Sequence, residues 1–302
     1  MVRGAAALAR QLGVPPLVVG LTVVAFGTSA PEFAVNVAAA IRGDGAVAFG
    51  NIVGSNLANV GLILAGSALV RRMTIHSTVI TREIPMMLLA SAAALVMGFD
   101  VLRLEAPPEY DRAEGLVLLL FFGIFLYYTI AETIRKRATD PFVQQVRERK
   151  IGARMKSLGA SGGLVFLGIV GLALGGQFTV VGAVGLAEVL GAPKSLIGLT
   201  IVAIGTSLPE LSASVMAARK GESDIAVGNV IGSNIFNLLF ILGVTAVIRP
   251  VPVPTGGFAD LAAMFVSGVA LLVFSAGRKR ITWVDGTALM LSYLAYIAWR
   301  AL

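Results

Sequence analysis

The chain has 302 residues, 57% of them hydrophobic and only 14% charged, with a formal net charge of +7. Soluble domains carry about a quarter charged residues, and the mean hydropathy here is +0.87, so a soluble core is excluded and a polytopic all-α membrane protein is expected. The absence of cysteine excludes disulfides and thiolate metal centres, and a single histidine, His76, excludes a multi-histidine site.

Taken in chain order, about nine apolar segments have the length of membrane helices: roughly 14–41, 46–69, 77–99, 113–134, 161–190, 194–218, 224–248, 257–276 and 281–301. No cleavable signal peptide is read at the start, because the first apolar run leads straight into a Gly-Thr-Ser motif. Between the fourth and fifth segments lies one basic linker, 135–160, holding Arg135, Lys136, Arg137, Arg147, Arg149, Lys150, Arg154 and Lys156 against Asp140 and Glu148. The positive-inside rule places it in the cytoplasm and divides the chain into halves at 1–134 and 161–302. Crossing one helix at a time puts Arg3 and Arg10, Arg71-Arg72, Arg219-Lys220 and Arg278-Lys279-Arg280 on the same side. The acidic 100–114 loop falls opposite, and Arg42 is the main exception. The net positive charge therefore calls for a lipid bilayer and not for nucleic acid as partner.

The strongest feature is an internal repeat. Gly27-Thr28-Ser29-Ala30-Pro31-Glu32 returns as Gly205-Thr206-Ser207-Leu208-Pro209-Glu210, and adding 178 finds each partner without a gap from 13 to 64. Gly20-Leu21-Thr22 matches Gly198-Leu199-Thr200. Gly50-Asn51 matches Gly228-Asn229, Gly54-Ser55-Asn56 matches Gly232-Ser233-Asn234, and Asn59 matches Asn237. Each repeat reads as a hairpin of two helices, and five helices separate their starts. Five is odd, so the repeats enter the membrane in opposite directions, the common build of secondary transporters. The helix at 161–190 finds its counterpart at about −17 to 12, so most of one N-terminal helix is expected to be missing.

Proline lacks an N–H and clashes with the carbonyl four residues back. Pro31 and Pro209 are expected to loosen the helix around Thr28 and Thr206 and to set free backbone oxygens beside Glu32 and Glu210. Ser55 and Asn59, and likewise Ser233 and Asn237, are four apart and share a helical face. All of these groups offer oxygen, which suits a hard cation; Ca²⁺ takes about six to eight such ligands. Two unpaired glutamates would each cost on the order of 2.5–3.5 kcal/mol at mid-bilayer, and no Lys or Arg lies at these helix centres, so a cation or protons must neutralise them. The candidate ion ligands are Thr28, Ser29, Glu32, Ser55, Asn59, Thr206, Ser207, Glu210, Ser233 and Asn237. Asn51, Asn56, Asn229 and Asn234 are expected to bridge helices. His76 reads as solvated, and Glu83 and Glu132 as snorkelling or pairing with a nearby arginine.

On these motifs the chain resembles the cation/Ca²⁺ exchanger superfamily, especially the Na⁺/Ca²⁺ exchangers, over both of that family's α-repeats, 13–64 and 191–242. The resemblance implies ten helices in two inverted halves, no cofactor, no enzymatic activity, and exchange of Ca²⁺ for Na⁺ by alternating access. It makes Glu32 and Glu210 the central Ca²⁺ ligands, with the Thr28 and Thr206 carbonyls, and puts Ser29, Ser55, Ser207, Ser233, Asn59 and Asn237 around flanking Na⁺ sites. Three departures stand out. Asparagine occupies both 59 and 237, where many exchangers have one aspartate; Gly175-Gly176 is followed by Gln177 in place of an acid; and most of the first helix is missing. The alternatives to Na⁺ coupling are H⁺/Ca²⁺ exchange and, in another class, a channel-like or regulatory membrane protein that binds cations without coupled exchange.

Overall fold

The computed structural model describes residues 1–12, 14–99, 107–139, 158–172, 174–175, 178 and 203–301. Its helices are α1 (Val2–Leu12), α2 (Pro16–Thr28), α3 (Ala30–Arg42), α4 (Gly45–Val70), α5 (Val79–Phe99), α6 (Arg112–Thr139), α7 (Leu158–Leu172), α8 (Ala203–Thr206), α9 (Leu208–Arg219), α10 (Ser223–Ile248), α11 (Gly257–Arg278) and α12 (Trp283–Ala301). Among the described residues five helices, α4, α5, α6, α10 and α11, are long and apolar enough to cross a membrane. The count is six when α2 and α3 are taken as one span bent by 46°. Half of the segment expected at 161–190, the first part of that at 194–218, most of the linker and the first part of the acidic loop lie outside the described residues. Helix α6 is described as far as Thr139, past the boundary expected at 134.

The distribution of side chains is that of a protein dissolved in lipid. Leu120, Phe166, Val266, Val273 and Leu291 stand exposed on the outer faces of their helices, as lipid contact requires. Glu32, Asn51, Ser55, Asn56, Asn59 and Glu210 are buried at the centre, each at most 1% exposed, where polar groups find partners only in protein or ion.

The two halves interlock. Helix α2 of the first repeat lies on α10 of the second along Gly228-x-x-x-Gly232, a spacing that lets backbones approach closely. A Cβ built on Gly232 would stand 2.6 Å from the Leu21 carbonyl oxygen, and one on Gly228 2.8 Å from that of Leu17. Two short antiparallel ribbons also join the halves: Met73–Thr74 pairs with Arg280–Ile281, and Glu109–Tyr110 pairs with Val251–Pro252. Met73-Thr74 and Val251-Pro252 are 178 apart, so inversion puts the ribbons at opposite ends of the bundle. The hairpin turns are treated alike. Gly43 and Gly221 take φ of +86° and +80°, a conformation glycine adopts freely. Against each lies an arginine guanidinium from the other half of the chain, Arg249 against Gly43 and Arg71 against Gly221. Arg71 also donates to the Arg219 carbonyl at 3.2 Å.

Glu83 departs from the snorkelling alternative. Its side chain is buried and ion-paired with Arg82, because the π-helical turn at Val79–Glu83 directs it into the bundle. His76 is exposed as expected, with Asp224 at 3.4 Å.

Candidate functional site

Each repeat breaks its first helix at one serine. Ser29 has φ −83° and ψ 7°, and Ser207 φ −85° and ψ 6°. The chain leaves helical geometry for that single residue and restarts, with Pro31 and Pro209 in the first turn of α3 and α9, where a missing N–H costs nothing. The break thus falls one residue beyond the threonine around which it was expected. It puts Glu32 and Glu210 in the first turns of the new helices, where the positive end of the helix dipole favours a carboxylate.

The serines at the breaks cross over. Ser29 Oγ donates to Glu210 Oε1 at 2.8 Å, and Ser207 Oγ donates to Glu32 Oε1 at 3.1 Å. Ser29 Oγ is also 3.0 Å from Ser233 Oγ. The threonines follow the same rule: Thr28 Oγ1 donates to Asn229 Oδ1 and Thr206 Oγ1 to Asn51 Oδ1, both at 3.1 Å. So do the asparagines, Asn59 Nδ2 donating to Asn234 Oδ1 at 2.9 Å and Asn237 Nδ2 to Asn56 Oδ1 at 3.0 Å. Three pairs of bonds therefore exchange under the 178-residue offset, and every one joins the first repeat to the second. Ser55 Oγ stays within its own repeat, 3.5 Å from Asn51 Oδ1. All ten sequence-predicted site residues are buried in this one network.

Four oxygens of these ligands are left over. Among the described residues, Glu32 Oε2, Glu210 Oε2, Asn59 Oδ1 and Asn237 Oδ1 are buried without a hydrogen-bond partner. Each belongs to a side chain whose other polar atom is already held by the opposite repeat. They form two symmetry-related pairs, and all four are acceptors. Buried carboxylate oxygens without partners are costly, and an acceptor-only set is completed by a cation or by protons. Among the described residues no group of three His, Asp or Glu side chains is close enough to hold a metal, so any ion here would take its remaining ligands from neutral oxygens. Asn59 opens a π-helical turn, Asn59–Leu64, and Asn237 lies in its counterpart, Phe236–Ile241; such widened turns re-aim side chains and recur at functional sites.

Two residues were missed. Asn36 is fully buried and donates from Nδ2 to the Glu32 carbonyl at 2.7 Å. Its counterpart at +178 is Ser214, whose Oγ accepts from Asn229 Nδ2 at 2.9 Å. The signal was available: both are small polar residues four places after the repeated glutamate, on its helical face. They also break the symmetry. In the second repeat Asn229 is closed off by Ser214, whereas in the first Asn36 Oδ1 and Asn51 Nδ2 are both without partners among the described residues.

A family model described as sodium/calcium exchanger protein matches residues 1–131 and 160–302. The putative antiporter CaxA of Alkalimonas amylolytica is 38% identical over 299 residues, covering 98% of this chain and 91% of that protein. The sodium/calcium exchanger MaX1 of Methanosarcina acetivorans is 34% identical over 321 residues, covering 98% and 92%. Among solved structures, the sodium-calcium exchanger NCX_Mj superposes with a TM-score of 0.82 at 29% identity, covering 98% of this chain and 91% of that one.

Proposed function

Because the chain belongs to the sodium/calcium exchanger family, a family of ion transporters and not of enzymes, we propose that it is a secondary antiporter of the cytoplasmic membrane. It exchanges Ca²⁺ for Na⁺ by alternating access through a site built on Glu32 and Glu210. One observation carries the reading: the four orphan oxygens of Glu32, Glu210, Asn59 and Asn237, each aimed by a bond from the opposite repeat. Two carboxylates balance the charge of one divalent ion, and two amide oxygens are hard neutral ligands. The Thr28 and Thr206 carbonyls at the helix breaks bring the set towards the six to eight oxygens Ca²⁺ prefers. Ser29, Ser207, Ser55 and Ser233 supply the hydroxyls for Na⁺. The basic linker 135–160 faces the cytoplasm, as the positive-inside rule requires, and Gly43 and Arg249 face outward.

The test is ⁴⁵Ca²⁺ uptake into proteoliposomes driven by an outward Na⁺ gradient. Glu32→Gln and Glu210→Gln should each abolish uptake while leaving the protein monodisperse in detergent. Near-normal uptake by either variant sinks the assignment. A second reading, H⁺ in place of Na⁺, is favoured by the lack of any basic group on the two carboxylates among the described residues, which leaves them free to carry protons. Uptake driven by a pH gradient and indifferent to Na⁺ decides for it. Flux with no counter-ion on the far side decides for a channel.

A further inference from the structure

Behind the two amides that offer unpartnered oxygens stand two more, and behind those, two thioethers. Asn234 Nδ2 donates to Met87 Sδ at 3.3 Å, and Asn234 Oδ1 accepts from Asn59 Nδ2 at 2.9 Å. The related amide is held similarly but not by the equivalent methionine: Asn56 Nδ2 is 3.6 Å from Met264 Sδ and 3.4 Å from the Asn234 backbone carbonyl, while Asn56 Oδ1 accepts from Asn237 Nδ2 at 3.0 Å. Met87 lies on α5 and Met264 on α11, outside both repeats.

A primary amide has two faces of opposite polarity and nearly the same shape, so packing alone does not tell it which way to point. A thioether sulfur accepts and never donates. Met87 therefore fixes Asn234 with its NH₂ towards the sulfur and its carbonyl towards Asn59. That in turn fixes Asn59 with its NH₂ towards Asn234 and its oxygen towards the site, where it is found without a partner. Reversing Asn59 would set its oxygen against the oxygen of Asn234 and aim an NH₂ at the ion.

We propose that Asn56 and Asn234, with Met264 and Met87 behind them, are positioning residues that set the polarity of the ion site by holding the Asn237 and Asn59 amides oxygen-first. The inference rests on the reading of the site as a cation site. A site completed by carbonyl oxygens favours cations, while the same side chains reversed repel them. The assignment also explains why neutral amides at 59 and 237 serve where a carboxylate, with two equivalent oxygens, would need no such control.

The experiment measures the KM and Vmax of Ca²⁺ uptake in proteoliposomes. Freed of Met87, the Asn234 and Asn59 pair would divide between its two orientations, and an apparent affinity falls by the fraction of competent protein. Met87→Leu should raise KM about two-fold, and Met264→Leu less, because the Asn234 backbone carbonyl also receives the Asn56 NH₂. Met87→Leu/Met264→Leu should raise it at least about two-fold, with Vmax little changed, because this swap conserves volume. Asn234→Leu should raise KM further. In an Asn59→Asp background, where either orientation presents an oxygen, Asn234→Leu should no longer change KM. A role in packing alone predicts the same loss in both backgrounds, with lowered Vmax and thermal stability, and that outcome overturns the proposal. If the Asn59→Asp variant does not insert, the thioether pair decides: an unchanged KM in Met87→Leu/Met264→Leu overturns it. Loss of uptake in Glu32→Gln combined with unchanged KM in the thioether variants refutes only this inference. Survival of uptake in Glu32→Gln refutes the cation site beneath it.

Discussion

Gly232→Ala adds one methyl group where α10 crosses α2. The new Cβ would lie 2.6 Å from the Leu21 carbonyl oxygen and 2.8 Å from both the Leu21 Cα and the Ala25 Cβ. Carbon contacts relax to about 3.5–4.0 Å, so the helices must part by about 1 Å. Backbone atoms on the α2 side have no rotamer by which to yield. The next residue, Ser233, sits 3.0 Å from Ser29. Parting by that amount takes the contact to about 4 Å, beyond hydrogen-bond range. Overpacking costs about 1–3 kcal/mol, and the lost interhelical bond about 0.6 kcal/mol. Alanine's better helix propensity offsets about 0.5–1 kcal/mol of this. The net loss of about 1–3 kcal/mol is a change of about five- to 150-fold in the folded population. The assay pairs thermal unfolding in detergent with Ca²⁺ uptake, using Gly123→Ala on α6 as the control, since nothing lies within 4 Å of a Cβ there. Gly232→Ala should melt lower and transport less than the control. Equal melting and equal uptake would refute the claim that this crossing sets the distance between the repeats.

Three further outcomes follow from the fold. Gly43→Ala and Gly221→Ala should each destabilise by about 1–2 kcal/mol, the cost of a side chain in left-handed backbone, read as a fall in melting temperature. A loss in only one of them would argue against equivalent turns. Arg300→Ala should cost about 1–3 kcal/mol, because it strips the buried Asp260 of its bonds to the guanidinium while Tyr296 still donates to it; Asp260→Asn should cost less. Tyr110, in the ribbon outside the spans, is buried and donates to the Ala94 carbonyl at 2.6 Å, and burial raises its pKa. The folded chain then keeps a proton that the unfolded chain releases near pH 10, so the tyrosine's contribution is intact below that pH and declines above it. Tyr110→Phe should melt lower at neutral pH and lose part of the alkaline decline, measured by melting curves from pH 8 to 11.

The sequence made the repeat legible because the 178-residue offset needs no gap, and each predicted ligand lies in the buried network for that reason. Direction was not legible. Nothing in Gly-Thr-Ser-x-Pro-Glu says that Ser29 serves the glutamate of the other repeat, because that depends on how two hairpins cross. Asn51 and Asn229 bridge helices as expected, and what could not be read is the partner: each receives the opposite threonine at the helix break. The break itself falls at Ser29 because proline tolerates the first turn of a new helix better than the middle of an old one. The helical residues of α6 beyond 134 were missed because a basic stretch reads as solvated whether or not it is helical.

The exchange of serines between repeats also bears on biosynthesis. Glu32 leaves the ribosome long before its donor: Ser207 follows 175 residues later. At about 5–20 residues per second, that interval is about 9–35 s. Through that time Glu32 lacks the serine that donates to it in the folded protein, so in the nascent N-terminal half it must wait protonated, hydrated or shielded by the insertion machinery. Maturation of the first half is therefore set by the arrival of the second, and a ribosome stalled between them would strand a membrane intermediate fit for proteolysis.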